Sequence, residues 1–206
     1  MADYKVRNVG ILLFEHAELL DFAGPYEAFS AAHSGGERVF NTFTVGQRKG
    51  MITSNNGLRC EIDYDFTDHP PIDVLVVPGG RGTRTEIDNP VVIDWITQVS
   101  DSAELTTSVC TGSFLLGKAG LLEGKSATTH WGSIERKRET FPTIEVIENI
   151  RFVDAGNVVS SAGVSAGIDM SLYVIERLAG REAAASSARV MEYDFWTAND
   201  AVSAAG

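Results

Sequence analysis

Apolar residues fall along this chain in two alternating rhythms, short unbroken runs and longer stretches at helical spacing. Asn8–Phe14 (NVGILLF) is a short apolar run rich in β-formers, and from about Glu18 to His33 the apolar positions recur with the period of a helix. Val39–Gly46 predicts a second strand, and Met51–Phe66 alternates around Asn55-Asn56-Gly57, a signal for a tight hairpin. Asp73–Val77 (DVLVV) has the pattern of a strand buried on both faces and closes on Pro78-Gly79-Gly80. Asn89 can cap, and Pro90 can open, a helix over Val91–Ser102. Leu105–Val109 predicts a strand, Gly112–Ala119 a helix, and Ser126–His130 a short strand leading into a helix from about Gly132. Arg151–Ser161 predicts a hairpin around Asp154-Ala155-Gly156-Asn157, followed by a long helix over Ala166–Leu178.

Repeated strand–helix alternation with near-continuous apolar strands predicts an α/β fold, a doubly wound and mostly parallel sheet with helices on both faces. A chain of 206 residues with 44% hydrophobic content is long enough for one large domain and too short for two generous ones. The expectation is a single domain over residues 1–206, with its core about 8–195. The small, polar tail after Phe195 should fray, with Trp196 placed to dock it. No internal repeat, low-complexity segment or interdomain linker interrupts the pattern.

A formal net charge of −11 repels phosphate backbones and anionic lipid surfaces, so neither nucleic acid nor membrane is an expected partner. The N-terminus alternates charges and lacks a signal-peptide pattern, and no run approaches the length that spans a bilayer. Cys60 and Cys110 allow one disulfide by arithmetic, but a secreted scaffold usually carries more. These features favour the cytoplasm.

Cys110 stands where the strand Leu105–Val109 gives way to the helix that opens at Gly112. A residue at a sharp strand-to-helix turn is pushed out at the sheet's end while the following N–H groups point toward it. That setting favours an anion, so it should lower the thiol's pKa and raise its reactivity. The alternative is a small buried residue packing a strand end. Gly79 and Gly80 follow another buried strand and offer N–H groups free of side chains, suited to an oxyanion hole with the N–H of Thr111, or they simply form a tight turn. Asp21 is a loop or capping residue, or, among Leu19, Leu20, Phe22 and Ala23, a desolvated carboxyl whose raised pKa suits proton transfer. Glu27, one turn on, is a weaker candidate. His130 reads as a general base or as a structural group supporting the site from behind, the second being favoured. Ser161–Asp169 is a small-residue loop that admits either a substrate or a closely packed helix. No spacing among histidines, cysteines and acids resembles a metal site.

Five segments in order, Leu-Asp21-Phe-Ala-Gly-Pro, Pro-Gly-Gly80, Ser-Val-Cys110-Thr-Gly-Ser, Ala-Thr-Thr-His130-Trp and Gly163-Val-Ser-Ala-Gly-Ile-Asp169, resemble the PfpI/ThiJ superfamily over roughly residues 8–195. The resemblance implies the flavodoxin-like, class I glutamine-amidotransferase-like fold with a nucleophile elbow at Cys110. It also implies Cys110 as nucleophile, Asp21 as the acid beside it, Thr111 contributing to the site and to anion binding, Gly80 and its neighbour Gly79 as backbone donors, and Val164 on a loop walling the pocket. Thr111 stands where peptidase-like members place a histidine, and no downstream His-x-Glu pair occurs, so neither proteolysis nor glutamine hydrolysis is implied. Asp21, where many relatives carry glutamate, matches the isonitrile-hydrating subgroup. The implied activity is hydration of an organic isonitrile to an N-substituted formamide through a cysteine-bound thioimidate, with a small-molecule substrate, no metal or organic cofactor, and a homodimer as the assembly.

Two alternatives stay open. One is a carbonyl enzyme of glyoxalase type with His130 as its base. The other is a ligand or redox sensor using Cys110, since N-terminal domains of AraC-type transcription regulators share almost all these motifs. Those regulators continue into a helix-turn-helix pair, whereas this chain stops shortly after Phe195 and offers no basic reading head.

Overall fold

The computed structural model describes residues 5–194 and the backbone of residues 201–203. The chain runs through β1 (Arg7–Leu12) and α1 (Leu19–Ser30), then a small hairpin of β2 (His33–Ser34) and β3 (Glu37–Arg38), to β4 (Phe40–Gly46). A second hairpin, β5 (Gly50–Thr53) and β6 (Arg59–Ile62), turns around Asn56-Gly57 as its sequence predicts, and β7 (Tyr64–Asp65) follows. Then come β8 (Val74–Val77), α2 (Thr83–Glu86), α3 (Pro90–Ser102), β9 (Leu105–Val109) and α4 (Gly112–Lys118). The last third holds β10 (Ser126–Ala127), a 3-10 turn at Trp131–Ser133, α5 (Ile134–Thr140), β11 (Glu145–Val146), β12 (Phe152–Asp154), β13 (Val158–Ser161), α6 (Ala166–Ala179), α7 (Arg181–Val190) and β14 (Ala201–Ser203).

Eight strands form one sheet in the order β14-β12-β13-β9-β8-β1-β4-β7. All neighbours pair parallel except β12 with β13, the predicted hairpin, which pairs Phe152 with Ser161. The central strands are apolar without alternation because both faces are covered, and Val74, Leu75, Val76 and Val77 are fully buried. From β1 the chain crosses to β4 on one side, and from β8 to β9 on the other. Right-handed crossovers in opposite directions put their helices on opposite faces. Accordingly α1, α6 and α7 pack together, and α2 and α3 pack around α4.

The register brings the carboxyl ends of the central strands to one edge. Ile11 sits beside Val76, Val77 beside Ser108, and Val109 beside Ser161. The segments after β1, β8, β9 and β13 therefore leave the sheet side by side.

Several elements differ from the sequence expectation. The helix predicted to reach His33 ends at Ser30, and the turn at Gly35 and Gly36, both at positive φ, folds the following residues into β2 and β3. The strand expected over Ser126–His130 shrinks to Ser126–Ala127, which pairs with Glu145–Val146 in a separate two-stranded sheet. α7 was not predicted. Its buried positions are Ala183, Ala184, Ser187 and Ala188, small residues that leave a segment rich in charge with little hydrophobic content overall. Residues 201–203 pair with β12, while Trp196 lies outside the described residues. Among the described residues, no helix is long and apolar enough to cross a membrane.

Candidate active site

The strand order reverses between β1 and β8, and in open α/β sheets ligands bind beyond the carboxyl ends at such a switch point. Cys110 is the first residue past β9 and has φ +58°, a left-handed backbone that costs a non-glycine residue about 1–2 kcal/mol. Three hydrogen bonds hold it there. Its N–H donates to the Ser161 carbonyl at 3.1 Å, and its own carbonyl accepts from Thr129 Oγ1 at 2.9 Å and Ser113 Oγ at 3.2 Å. Strained backbone persists only where its surroundings over-determine it, as here.

Asp21 sits in the first turn of α1 and is fully buried. Its Oδ2 accepts the Gly79 N–H at 3.0 Å, and its Oδ1 has no hydrogen-bond partner among the described residues. Burial pushes this carboxyl up to about 7, against the downward pull of the Gly79 N–H and the Cys110 thiol, with the charge of Glu18 adding to the rise. The Cys110 thiol is also pushed well up, first by burial and then by the Asp21 carboxylate, and the N–H and hydroxyl of Thr111 only partly oppose this. The expectation that the elbow lowers the thiol is therefore overturned. Desolvation and an adjacent carboxylate outweigh one N–H group and a helix of only seven residues. Near neutrality the sulfur therefore keeps its proton, while Asp21 is divided between its acid and its carboxylate, the form able to receive it.

The expected oxyanion donors are corrected as well. The Gly79 N–H is spent on Asp21, and the Gly80 N–H donates to Thr111 Oγ1 at 3.0 Å, so these groups orient the acid and the threonine instead of facing substrate. Gly80 has φ +117°, and a Cβ there would meet Glu18 N and His16 O at 2.4 Å, because the turn after β1 bridges to Gly80 through Ala17. Thr83, which sequence reasoning missed, places its hydroxyl 2.8 Å from the Gly80 carbonyl and 3.2 Å from Thr111 Oγ1.

A cavity of about 270 Å³ opens above the sulfur and brings together the predicted Gly80, Cys110, Thr111, His130 and Val164, with Asp21 beneath them. His130 Nδ1 accepts the Gly132 N–H at 3.1 Å, so the neutral ring carries its proton on Nε2. A Cβ on Gly163 would lie 3.0 Å from Cys110 Sγ and 2.7 Å from His130 Cδ2, so the small-residue loop admits close approach to the sulfur. Glu27 does not line this cavity. A larger cavity of about 410 Å³, around Phe14, Met51, Phe66 and Val92, contains no thiol, hydroxyl or imidazole. No group of acids, histidines and cysteines able to hold a metal occurs among the described residues.

Sequence reasoning missed the basic side of the cavity, Arg81, Arg84 and Arg136. Arg81 and Arg84 were legible as cations right after a strand's Pro-Gly-Gly end. Arg136 reaches the cavity from α5, and nothing in its local sequence signals that.

The model of the DJ-1/PfpI family matches residues 7–177. The isonitrile hydratase of Pseudomonas putida is 35% identical over 187 residues, covering 90% of this chain and 78% of that protein. The HTH-type transcriptional regulator GbdR of Pseudomonas aeruginosa is 28% identical over 91% of this chain, which spans about half (51%) of the regulator's length. A solved THiJ/PfpI family protein from Pseudomonas syringae superposes with a TM-score of 0.83 at 28% identity, covering 93% of this chain and 77% of that one.

Proposed function

The chain belongs to the DJ-1/PfpI family, and from that premise we propose that it is a cysteine-dependent isonitrile hydratase in which Cys110 is the nucleophile and Asp21 the proton carrier. The similarity to the P. putida isonitrile hydratase supports the reaction. The observation that carries the residue assignment is the orphaned Asp21 Oδ1, buried beside the elbow cysteine, with a carboxyl pushed up to about 7.

The terminal carbon of an isonitrile is electrophilic and slender, and it suits a small cavity ending on sulfur. As Cys110 Sγ attacks that carbon, its S–H bond breaks and the Asp21 carboxylate takes the proton. Asp21 then returns the proton to the same carbon, leaving a neutral thioimidate, R–N=CH–S–Cys. Water adds to this carbon, one of its protons passing through Asp21 to the nitrogen. Collapse of the tetrahedral adduct breaks the C–S bond, and the hydroxyl proton returns to sulfur. The sum is one isonitrile and one water giving one N-substituted formamide, with thiol and carboxylate restored. Thr111 supports the reacting sulfur through its N–H and hydroxyl. His130, with Nδ1 already engaged, serves as an Nε2–H donor to the substrate's nitrogen or the forming oxygen. An Nε2–H facing the cavity favours this donor role over the base that glyoxalase-type chemistry asks of His130.

The decisive experiment follows formamide formation from cyclohexyl isocyanide by wild type and Cys110→Ala. Turnover by wild type alone is the expected result; equal turnover by the variant would remove Cys110 from the mechanism. The similarity to GbdR favours one further reading, ligand sensing, which predicts saturable binding without formamide release. With a net charge of −11, the partners we infer are a small-molecule substrate and a second copy of the chain, with no nucleic acid, and the place of action is the cytoplasm. Light scattering tests the homodimer.

A further inference from the structure

We propose that Arg84 and Arg136 form an anion subsite at the mouth of the Cys110 cavity, and that the isonitrile hydrated there carries a carboxylate. The substrate class rests on the hydratase reading; the subsite rests on geometry. Three guanidinium groups and one carboxylate, Glu18, line this cavity. Glu18 is already committed, with Oε2 accepting from Asn55 Nδ2 at 2.8 Å and Oε1 from Asn56 Nδ2 at 3.1 Å. Arg81 is committed too, donating from Nε to Asn55 Oδ1 at 2.6 Å.

Arg84 and Arg136 differ. Neither side chain has an ion pair or hydrogen bond among the described residues, and the Arg136 guanidinium rests 4.2 Å above the Phe114 ring. Arg7, Arg138, Arg151 and Arg177 pair with carboxylates, and what sets Arg84 and Arg136 apart from the other arginines without a partner among the described residues is that both line the cavity of the cysteine. Burial and the nearby positive charge of Arg84 both push Arg136 downward, so two like charges stand close together on one small cavity. Arg84, Arg136 and Cys110 line the same cavity, which places the basic pair beside the reacting sulfur. A carboxylate between the two arginines relieves the repulsion and offers two oxygens to forked donors, a match lysine lacks. A volume of about 270 Å³ admits an isonitrile with a carboxylate a few carbons away.

The test pairs isocyanoacetate with its methyl ester, which differ only in charge at the remote end, and uses cyclohexyl isocyanide as reference. Wild type should favour the acid over the ester by about tenfold or more in kcat/KM, mainly through KM, and the preference should shrink as salt rises. In the Arg84→Gln/Arg136→Gln double variant the acid-to-ester ratio should collapse toward one, and Arg84→Lys/Arg136→Lys should keep part of it. Lys118→Gln, an exposed charge on α4 outside the cavity, should leave the ratio intact. An acid turned over no better than its ester, or a ratio that survives the double variant, would overturn the proposal. If no isonitrile is hydrated, the hydratase reading fails by itself. The subsite is then judged by calorimetry with N-formylglycine and its methyl ester. Tighter binding of the acid that disappears in the double variant upholds the subsite, and equal binding rejects it.

Discussion

Asp21 and Lys137 are buried ionisable groups whose environments push their pKa values in opposite directions, and each leaves a mark on stability. Asp21 rises from 3.8 to about 7 on folding, so the folded state holds the extra proton between those values. Its contribution is intact below pH 3.8 and is lost as pH climbs to 7, a cost of about 4 kcal/mol above neutrality. Asp21→Asn should therefore unfold at higher urea than wild type at pH 8, with little advantage at pH 4, while losing hydration activity. An unchanged midpoint at pH 8 would mean the carboxylate is not desolvated. In wild type, kcat/KM should rise with pH through a midpoint near 7 and level off, because the attacking thiol needs an ionised Asp21; a profile flat from pH 5 to 9 would contradict that role. Lys137 is fully buried, its Nζ donating to the Ser113 carbonyl at 2.9 Å and lying 5.1 Å from the Phe114 ring centre, and burial pushes it down to about 7. Here the folded state holds fewer protons between pH 7 and 10.5, so stability rises with pH across that window. Lys137→Met should stabilise the protein at pH 7 by roughly 1–4 kcal/mol, with the gain fading by pH 10 as read by urea titration.

Two helix and loop boundaries separate stability from chemistry. Asn89 caps α3 by accepting the Val91 N–H at 3.2 Å, as its sequence predicts. Asn89→Ala should cost about 1 kcal/mol and leave kcat untouched, since α3 contributes nothing to the cavity. Gly80→Ala should cost at least as much, about 1–3 kcal/mol, and also abolish activity. Its φ of +117° and the 2.4 Å approach to Glu18 N force apart the turn that holds Thr111. A Gly80→Ala enzyme with full activity would detach that turn from the site. The strands β1, β8 and β9, and the turn at Cys110, were legible because a strand buried on both faces must be apolar throughout and must end abruptly. The helix α7 was not legible, because alanine and serine pack its inner face in place of large apolar residues, and the segment as a whole carries little hydrophobic content to mark it. The position of Asp21 was half legible. Its apolar neighbours announce burial, yet it lies inside a helix that also contains Pro25, whose missing N–H leaves the Asp21 carbonyl without its usual helical partner.

Across the whole molecule, one eight-stranded sheet carries helices on both faces and a single buried core extends from Val9 to Ala188, so we infer one folding unit. Urea unfolding followed by tryptophan fluorescence and by far-UV circular dichroism should give one coincident transition; separate midpoints would divide the chain. Sequence alone determined the alternation of strands and helices, the mostly parallel sheet, and the sharp turns that carry Cys110 and the glycine pair. Those follow from local periodicity and from the few residue types that sharp turns accept, while the pairing of Cys110 with Asp21 was implied only by the family resemblance. Tertiary structure decided what those groups do. The fates of the Gly79 and Gly80 N–H groups, the raised thiol, the tautomer of His130 and the unpaired arginines at the cavity mouth all depend on neighbours brought from distant segments. Hydrogen-bond partners and desolvation are set by packing across the sheet, and no local pattern in the chain encodes them.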